Sequence, residues 1–390
     1  MSETMETTLN REELLRYSRH MAMPEFGIEG QQKLKNSKVL VIGCGGLGAP
    51  LLHYLAAAGV GTIGILDFDE VEDSNLQRQV LFGTDDIGQP KVEVAKEKLL
   101  KLNPYIDIQT HHTQLASENA LEIFKNYDVI ADGTDNFPTR YLVNDACVML
   151  NKVNVYGSIF RFEGQVSVFN YIDENGNAGP NYRDLFPTPP PPGMVPSCAE
   201  GGVLGVLPGI IGSLQVNEII KVLTGVGEPL AGKLVRFDAL KFEFRTFNVK
   251  KDKNNPISGE NPTINELIDY EAFCGLTGQQ SENGEVKEIS VSEYKDMVDR
   301  NEDHQLIDVR EEYEYYITNI GGKLIPLDRI QEFANEIDPD KKTVVHCRSG
   351  GRSRTAILRL QDEHGFNNLY NLKGGILSWA DNIDNSLIKY

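Results

Sequence analysis

A glycine-rich turn between an apolar strand and a helix constrains the fold of this chain more than any other feature. Residues 38–42 (Lys-Val-Leu-Val-Ile) predict a buried strand that runs directly into Gly43-Cys-Gly-Gly-Leu-Gly48. Residues 51–58 then predict a helix, and residues 62–66 predict a second strand. A strand, a helix and a second strand in this order predict a parallel sheet with helices on both faces.

The same alternation of strands and helices continues along the chain. Further strands are predicted at residues 127–131, 154–157, 164–170, 306–307 and 343–346. A segment that is charged and rich in Asn, Pro and Gly begins near Lys250 and marks the end of the first block. In the second block, residues 354–364 predict a helix capped by Gly365.

We therefore expect two domains of the α/β class, since 390 residues exceed one ordinary core. Residues 11–250 are predicted to form a Rossmann-like domain with a mixed, mainly parallel sheet. Residues 251–284 are predicted to form a linker with some local order. Residues 285–390 are predicted to form a smaller α/β domain.

Composition limits the possible partners and the compartment. The net charge of −19 disfavours nucleic acid and anionic membranes as main partners. An odd number of cysteines and no visible signal peptide favour the reducing cytoplasm. The apolar stretch from Val203 to Ile220 is interrupted by Pro208, Asn217 and Glu218, so we expect a buried helix there and no membrane span.

The glycine turn is suited to binding a nucleotide phosphate. Its missing side chains let a phosphate approach backbone N–H groups and the positive end of a helix. Asp67 lies 19 residues beyond Gly48, where a carboxylate would bind a ribose hydroxyl. These features alone suit NAD or FAD equally well, so a dehydrogenase is the default interpretation at this point.

Two cations further along the chain favour ATP. Arg78 and Lys91 would stabilise the negative charge that builds up when the α-phosphate of ATP reacts, whereas hydride transfer needs no such cluster. Asp135 follows a predicted strand, where its carboxylate could hold Mg²⁺.

A cysteine loop in the second block is suited to holding an anion on sulfur. Cys347 follows a strand and precedes a helix, within His346-Cys-Arg-Ser-Gly-Gly-Arg-Ser353. The backbone N–H groups of Ser349, Gly350 and Gly351, the helix dipole, Arg348 and Arg352 would stabilise a persulfide. Phosphatases use a similar but longer loop to wrap phosphate. Four residues separate Cys347 from Arg352, which favours a single sulfur atom.

Residues from about Arg16 to Asn248 resemble the adenylating domain shared by ubiquitin-activating enzymes and the bacterial activators of molybdopterin and thiamin synthesis. The matching stretches, besides the glycine turn, are Arg16–Arg19, Leu66–Asp69, Ser74–Arg78, Gly88–Lys91, Thr134–Asn136, Arg161–Gln165 and Ile211–Gln215. The resemblance implies an ATP–Mg²⁺ site formed by Gly46, Asp67, Ser74, Asn75, Leu76, Gln77, Arg78, Lys91, Asp135 and Asn136. It also implies that Arg19 reaches the nucleotide of a second subunit, and hence a homodimer.

The resemblance assigns two further expectations. Cys198 follows a proline-rich loop at the position where relatives can form a covalent intermediate with the activated carboxyl group. Many relatives bind a structural zinc through two Cys-x-x-Cys pairs, but here those positions read Asn181-Tyr-Arg-Asp184 and Asn255-Pro-Ile-Ser258. Because these side chains cannot rebuild a thiolate site, we expect no structural zinc.

Residues from about Glu288 to Asp384 resemble the rhodanese sulfurtransferase domain, and the whole chain resembles the fused adenylyltransferase–sulfurtransferase family of molybdopterin-synthase sulfurylases. This resemblance implies that ATP activates the C-terminal glycine of a ubiquitin-like sulfur carrier. Cys347 would then supply sulfur received from a cysteine desulfurase or thiosulfate. Two alternatives remain: an NAD-dependent oxidoreductase fused to a rhodanese domain, and a non-catalytic scaffold that docks the carrier.

Overall fold

The computed structural model describes residues 8–191, 201–275 and 286–390. The chain forms two compact units, residues 1–279 and 280–390, and each unit has its own sheet. Both units combine a largely or wholly parallel sheet with helices. The predicted α/β fold class is confirmed.

An eight-stranded sheet organises the first unit. Its strands are β1 (Lys38–Ile42), β2 (Thr62–Leu66), β3 (Asp107–His111), β4 (Val129–Asp132), β5 (Val153–Phe160), β6 (Glu163–Phe169), β7 (Lys233–Asp238) and β8 (Glu243–Asn248). The strand order is β3-β2-β1-β4-β5-β6-β7-β8. The pairs from β3 to β5 are parallel, and those from β5 to β8 are antiparallel.

The direction of winding changes between β1 and β4. The chain passes from β1 to β2 and β3 on one side, and then returns to place β4 on the other side of β1. The loops after β1 and β4 therefore diverge and leave a crevice at the carboxyl ends of the strands. The glycine turn and residues 133–136 both lie at this crevice.

Helices cover both faces of this sheet. They are α1 (Arg11–Arg16), α2 (Ser18–Met21), α3 (Gly27–Asn36), α4 (Gly48–Ala58), α5 (Lys91–Leu102), α6 (Ala120–Phe124), α7 (Phe137–Met149), α8 (Tyr182–Leu185), α9 (Leu207–Thr224) and α10 (Tyr270–Phe273). Alternation along β1 sends Val39 and Val41 into one apolar cluster, and Leu40 and Ile42 into the cluster on the opposite face.

The apolar stretch near residue 210 forms α9, as the sequence predicts. Its Gln215 is fully buried and donates hydrogen bonds to the carbonyl oxygens of Asp132 (2.8 Å) and Val155 (3.0 Å). This side chain therefore pins the helix to the ends of β4 and β5. In the part of the chain that the structure describes, no helix is long and apolar enough to cross a membrane.

Strands β7 and β8 have no counterpart among the sequence predictions, and neither has strand β3. It pairs only with β2, at the edge of the sheet, and Ile108 is its one fully buried residue. An edge strand with so little buried surface carries a weak hydrophobic signal.

Residues 251–275, within the predicted linker, pack on the first unit. The hydroxyl of Tyr270 donates a hydrogen bond of 2.8 Å to Oδ2 of the buried Asp145. Asp145 also forms a buried ion pair with Arg183, at 2.7 Å between Oδ2 and Nη2. Helix α10 is thereby fixed against α7.

A five-stranded parallel sheet organises the second unit. Its strands are β9 (Lys287–Ile289), β10 (Gln305–Asp308), β11 (Lys323–Leu324), β12 (Thr343–His346) and β13 (Leu369–Leu372), in the order β11-β10-β12-β13-β9. Its helices are α11 (Val291–Asp299), α12 (Glu312–Ile317), α13 (Gly351–His364) and α14 (Gly375–Asn382). Winding reverses between β10 and β12, and Cys347 follows β12 at this point.

Candidate functional site

The glycine turn brings backbone N–H groups to the carboxyl end of β1. Gly43 has a φ of +87°, which glycine adopts without strain. A Cβ on Gly48 would lie 1.9 Å from the carbonyl oxygen of Gly43, so only glycine allows α4 to begin so close to the strand. The sequence pattern therefore produces a tight turn of the kind that can bind a phosphate.

Asp67 is held rigidly at the end of β2. Its Oδ2 accepts a hydrogen bond of 2.6 Å from the backbone N–H of Cys44, and its Oδ1 accepts one of 2.9 Å from the N–H of Asp69. Burial raises the pKa of Asp67 above its ordinary value, although these two hydrogen bonds act against that increase. The carboxylate is thus oriented before any ligand arrives.

Two cations lie beside this carboxylate. The buried Nζ of Lys91 is 2.9 Å from Oδ2 of Asp69. Nη1 of Arg78 donates a hydrogen bond of 3.1 Å to the carbonyl oxygen of Ser74. Both side chains line the same cavity, so a ligand bound there would lie close to two positive charges.

That cavity has a volume of about 330 Å³ and lies at the crevice between the loops after β1 and β4. The structure brings together here most of the residues predicted for the nucleotide: Gly46, Asp67, Asn75, Arg78, Lys91, Asp135 and Asn136. Ser74, Leu76, Gln77 and Arg19 do not line it. Leu76 packs on the apolar core, and Arg19 is exposed on α2.

Several residues that line the cavity were not singled out from the sequence. Gln79 is 5% exposed, and its Oε1 has no hydrogen-bond partner among the described residues. It follows Arg78 directly, so its place beside a predicted ligand was the available signal. Glu271 reaches the cavity from α10, outside the predicted domain. No local pattern could have indicated it, because the contact of Tyr270 with Asp145 brings it there.

Asp135 lies at the rim of the cavity, with an exposed side chain. An Mg²⁺ ion that is bound mainly by nucleotide phosphates needs only one or two protein carboxylates. Within the described ranges, no group of three or more His, Cys, Asp or Glu side chains is arranged to hold a metal. One carboxylate at the rim meets that need, and the Mg²⁺ site itself stays a prediction.

The positions where relatives carry zinc cysteines are joined by hydrogen bonds. Nδ2 of Asn181 donates to Oγ of Ser258 (2.8 Å), and Nδ2 of Asn255 donates to Oδ1 of Asp184 (2.7 Å) and Oδ1 of Asn181 (3.3 Å). The four side chains connect the same two chain segments that the zinc ligands would connect. A hydrogen-bond network of neutral and acidic side chains therefore connects these two segments.

Cys198 lies outside the described residues. Its predicted covalent role rests on the sequence alone.

The sulfur atom of Cys347 lies within a small cradle after β12. Its Sγ accepts a hydrogen bond of 3.1 Å from the backbone N–H of Gly350, and Oγ of Ser353 lies 3.4 Å away. Gly350 has a φ of +101°, which glycine adopts without strain. Helix α13 begins at the next residue and directs its positive end at the same region.

The two loop arginines have different environments. Nη1 and Nη2 of Arg352 donate hydrogen bonds of 2.6 and 2.7 Å to the two carboxylate oxygens of Glu314. The guanidinium carbon of Arg348 lies 5.6 Å from the ring centroid of Tyr390. The charge of Arg352 is therefore compensated by a buried carboxylate, which the sequence did not predict.

His346 precedes the cysteine and is fully buried. Burial lowers its pKa to about 4, so the imidazole is neutral at physiological pH. His346 is therefore a buried side chain of β12. This placement is in line with the expectation that the loop, and not a histidine base, activates the sulfur.

Two family models match this chain. The ThiF family model matches residues 17–257, and the rhodanese-like domain model matches residues 290–382. The chain belongs to the ThiF family. It carries in addition a rhodanese-like domain, in agreement with the resemblance seen in the sequence.

Two relatives match nearly the full length of the chain, and a third matches about two thirds of it. The chain is 47% identical over 388 residues to the probable adenylyltransferase/sulfurtransferase MoeZ of Mycobacterium tuberculosis, covering 98% of this chain and 97% of that protein. It is 41% identical to the adenylyltransferase and sulfurtransferase MOCS3 of Xenopus laevis, covering 100% and 91%. The sulfur carrier protein adenylyltransferase of Thermus thermophilus is 55% identical over 266 residues, covering 68% and 98%.

Among solved structures, Escherichia coli MccB matches with a TM-score of 0.55 and 24% identity, covering 65% of this chain and 75% of that chain. At this identity the match shows the fold alone. It supports a ThiF-type fold for the first unit.

Proposed function

We propose that this protein uses ATP to adenylate the C-terminal glycine of a ubiquitin-like sulfur carrier, and then transfers sulfur to that carboxyl group. The observation that carries the proposal is the presence on one chain of a cavity after β1 and β4 that Arg78 and Lys91 line, and of a sulfur cradle after β12. The first suits carboxyl activation and the second suits sulfur delivery. ThiF-family membership implies ATP as the activating nucleotide.

In the first step, a carboxylate oxygen of the carrier attacks the α-phosphorus of ATP and pyrophosphate leaves. Arg78 and Lys91 stabilise the charge on the phosphates, because cations that already line the cavity need little reorganisation. Lys91 must share its positive charge between Asp69 and the nucleotide. Asp67 accepts a hydrogen bond from the ribose.

Asp135 would hold Mg²⁺, which would neutralise part of the triphosphate charge when it is bound. Asn136, next to it, caps the start of α7 through a hydrogen bond of 2.9 Å from the N–H of Thr139 to its Oδ1. This cap fixes the backbone that presents Asp135 to the cavity.

In the second step, a persulfide on Cys347 attacks the carbonyl carbon of the acyl-adenylate. AMP leaves, and the carrier is joined to Cys347 through an acyl disulfide. Attack by a thiolate on the sulfur of Cys347 releases the thiocarboxylate on the carrier and leaves a disulfide, which a thiol reductant returns to free thiols. Cys198 keeps the role predicted from the sequence: its thiolate can first displace AMP to form a thioester, and the persulfide then attacks that thioester and releases the Cys198 thiolate.

The same proposal includes the partners and the assembly. The sulfur donor is a cysteine desulfurase or thiosulfate, and the protein acts as a cytoplasmic homodimer in which Arg19 reaches the neighbouring nucleotide. No structural zinc is required, because Asn181, Asp184, Asn255 and Ser258 are already satisfied by one another. The thiocarboxylate would serve molybdenum cofactor, thiamin, cysteine or thiolated-tRNA synthesis.

Carrier-dependent exchange of labelled pyrophosphate into ATP tests the first step. We expect exchange only when a carrier with a free C-terminal glycine is present, and none when NAD replaces ATP. Calorimetric binding of NAD with no binding of ATP would instead favour an oxidoreductase. Binding of the carrier without any exchange would favour a docking scaffold.

A further inference from the structure

Tyr390 contacts three charged side chains beside the sulfur loop. Its hydroxyl accepts a hydrogen bond of 2.6 Å from Nη1 of Arg310 and donates one of 3.0 Å to Oε1 of Glu314. Its ring centroid lies 5.6 Å from the guanidinium carbon of Arg348. Tyr390 thus contacts Arg348 of the loop directly and Arg352 through Glu314, although it lies far from Cys347 in sequence.

Arg310 provides a fixed point for these contacts. It is fully buried, and its Nε donates a hydrogen bond of 2.9 Å to Oδ1 of Asp308 at the end of β10. Its Nη2 also donates to the carbonyl oxygen of Thr318 at 2.9 Å. A guanidinium held on several sides has little freedom, so the hydroxyl bonded to it is also held in place.

Glu314 transmits this order to the loop. Burial favours the protonated form of its carboxyl group, but the hydrogen bonds from Arg352 and from the N–H of Glu311 hold its pKa below the ordinary value. Burial also raises the pKa of Tyr390, so its hydroxyl stays protonated and donates a hydrogen bond to the carboxylate. Glu314 in turn orients both terminal nitrogens of Arg352.

We propose that Tyr390 is a positioning residue for the sulfur loop. It holds Glu314, and through Glu314 it holds Arg352, while its ring supports Arg348. The two loop cations are then at fixed places when an anionic sulfur donor approaches Cys347. This inference rests on the proposed sulfur transfer and names a residue on which donor binding depends.

Thiosulfate is a suitable probe because it is an anion and carries a transferable sulfur. The thiolate of Cys347 attacks its outer sulfur, the S–S bond breaks, and sulfite leaves with the bonding electron pair. Cyanide then attacks the terminal sulfur of the persulfide to form thiocyanate and restore the thiolate. The loop cations act on the negative charge of thiosulfate, so their disorder should weaken donor binding.

The test measures this thiosulfate-to-cyanide transfer with the full-length chain and three variants. Tyr390→Ala removes the hydroxyl and the ring, whereas Tyr390→Phe removes the hydroxyl alone. The control is Ile388→Ala, since Ile388 lies in the same terminal segment and is 62% exposed. Hydrogen exchange of the β12 amides verifies that each variant is folded.

We expect Tyr390→Ala to raise the KM for thiosulfate about tenfold, and Tyr390→Phe about threefold, which are the effects of losing hydrogen bonds and a cation–π contact at charged groups. The value of kcat should change less than about twofold, because Cys347 and the N–H of Gly350 are unaltered. Ile388→Ala should match the wild type. The Tyr390→Phe result decides the matter if Tyr390→Ala does not fold.

An unchanged KM in both Tyr390 variants would overturn the positioning role, and so would an equal rise in Ile388→Ala. A fall of kcat at unchanged KM would overturn it as well, because it would indicate loss of the reacting group and not of donor binding. Absence of thiocyanate with the wild-type chain would instead contradict the proposed sulfur transfer from thiosulfate. The two failures are therefore distinguishable.

Discussion

The cavity after β1 and β4 and the sulfur loop after β12 both lie where the winding of parallel strands reverses, but they are built differently. The cavity is lined by residues from Gly43 in the first strand–helix turn to Glu271 in α10. The sulfur cradle consists of neighbouring residues, Cys347 to Ser353, after a single strand. One site is assembled by the tertiary fold, and the other is formed largely by its own local backbone.

The cations of the two sites differ in the same way. Lys91 pairs with Asp69, whose side chain is half exposed and able to rotate away. Arg352 pairs through two hydrogen bonds with Glu314, which is 3% exposed. We interpret the first arrangement as suited to a large polyanion, because the exposed Asp69 can turn away from the buried Lys91 while the cation stays in place. The second is suited to a small anion that meets cations already in place.

The two proposed chemical steps use separate groups. Removal of the Cys347 sulfur should therefore abolish sulfur transfer and leave adenylation intact. We expect Cys347→Ala to reduce sulfur transfer by about 10⁴-fold, to background, because the nucleophile is lost. Adenylation should remain within about twofold of the wild type, since the variant leaves the cavity unchanged. Transfer is measured as thiocyanate formation and adenylation as pyrophosphate exchange.

The matched control is Cys274→Ala. Burial raises the pKa of Cys274 to about 11, so it remains a protonated thiol and should serve no chemistry. Loss of sulfur transfer in this control, or retention of transfer in Cys347→Ala, would break the assignment.

The second prediction concerns the cavity cations. Lys91→Ala should reduce carrier-dependent pyrophosphate exchange by about 10²-fold, because a charge aimed at the phosphates is lost. Thiocyanate formation should be unaffected. Lys101→Ala is the control on the same helix, since Lys101 is exposed and pairs with Glu97. Equal losses in both lysine variants would indicate a general effect of charge and not a role in the site.

The third prediction is a pH dependence confined to the second unit. The pKa of buried His346 is about 4, below its ordinary value of 6.5. Between these two values the unfolded chain takes up a proton that the folded chain does not, so stability is lost as the pH falls from about 6.5 to 4. The loss attributable to His346 should reach about 3 kcal/mol.

Hydrogen exchange of the β12 amides measures this loss. In His346→Gln, which cannot take up the proton, protection should fall less over the same pH range than in the wild type. Parallel pH curves for the two proteins would show that His346 is protonated equally in both states, against the prediction.

The smallest expected effect concerns the hydrogen-bond network of Asn181, Asp184, Asn255 and Ser258. Asn255→Ala removes hydrogen bonds to Asp184 and Asn181, and should lower the free energy of unfolding by about 2 kcal/mol. The exposed Asn254 provides the control, and Asn254→Ala should change stability by less than about 0.5 kcal/mol. Chelator should lower the thermal midpoint of neither variant nor the wild type. A chelator-dependent loss would indicate that a metal stabilises this region.

Structure formed by neighbouring residues was predictable from the sequence, whereas structure formed by distant segments was not. The strands at residues 38–42, 62–66 and 343–346 were predicted at their observed bounds, because each is a continuous buried run that ends at a glycine turn, an acid or a cysteine. The sulfur loop was predictable because its geometry is set by adjacent residues. Strand β3 was missed, since its one buried side chain gives no clear period.

Contacts between distant segments were beyond sequence reasoning. Glu314 on α12 pairs with Arg352 at the start of α13. Nothing in the local sequence pattern of α12 indicates that partner. Glu271 reaches the nucleotide cavity only because the buried pair of Arg183 and Asp145 receives Tyr270. The cavity is not lined by Ser74, Leu76, Gln77 or Arg19. Their contact with a nucleotide remains a prediction from the sequence.

The most direct test of the whole account is the mass of a ubiquitin-like carrier after incubation with the protein, ATP, Mg²⁺, thiosulfate and a thiol reductant. We predict a mass gain equal to replacement of one oxygen by sulfur, dependent on ATP, absent with Cys347→Ala and strongly reduced with Lys91→Ala. The same gain with Cys347→Ala, or a gain without ATP, would contradict the claim that the two sites act in sequence on one carboxyl group.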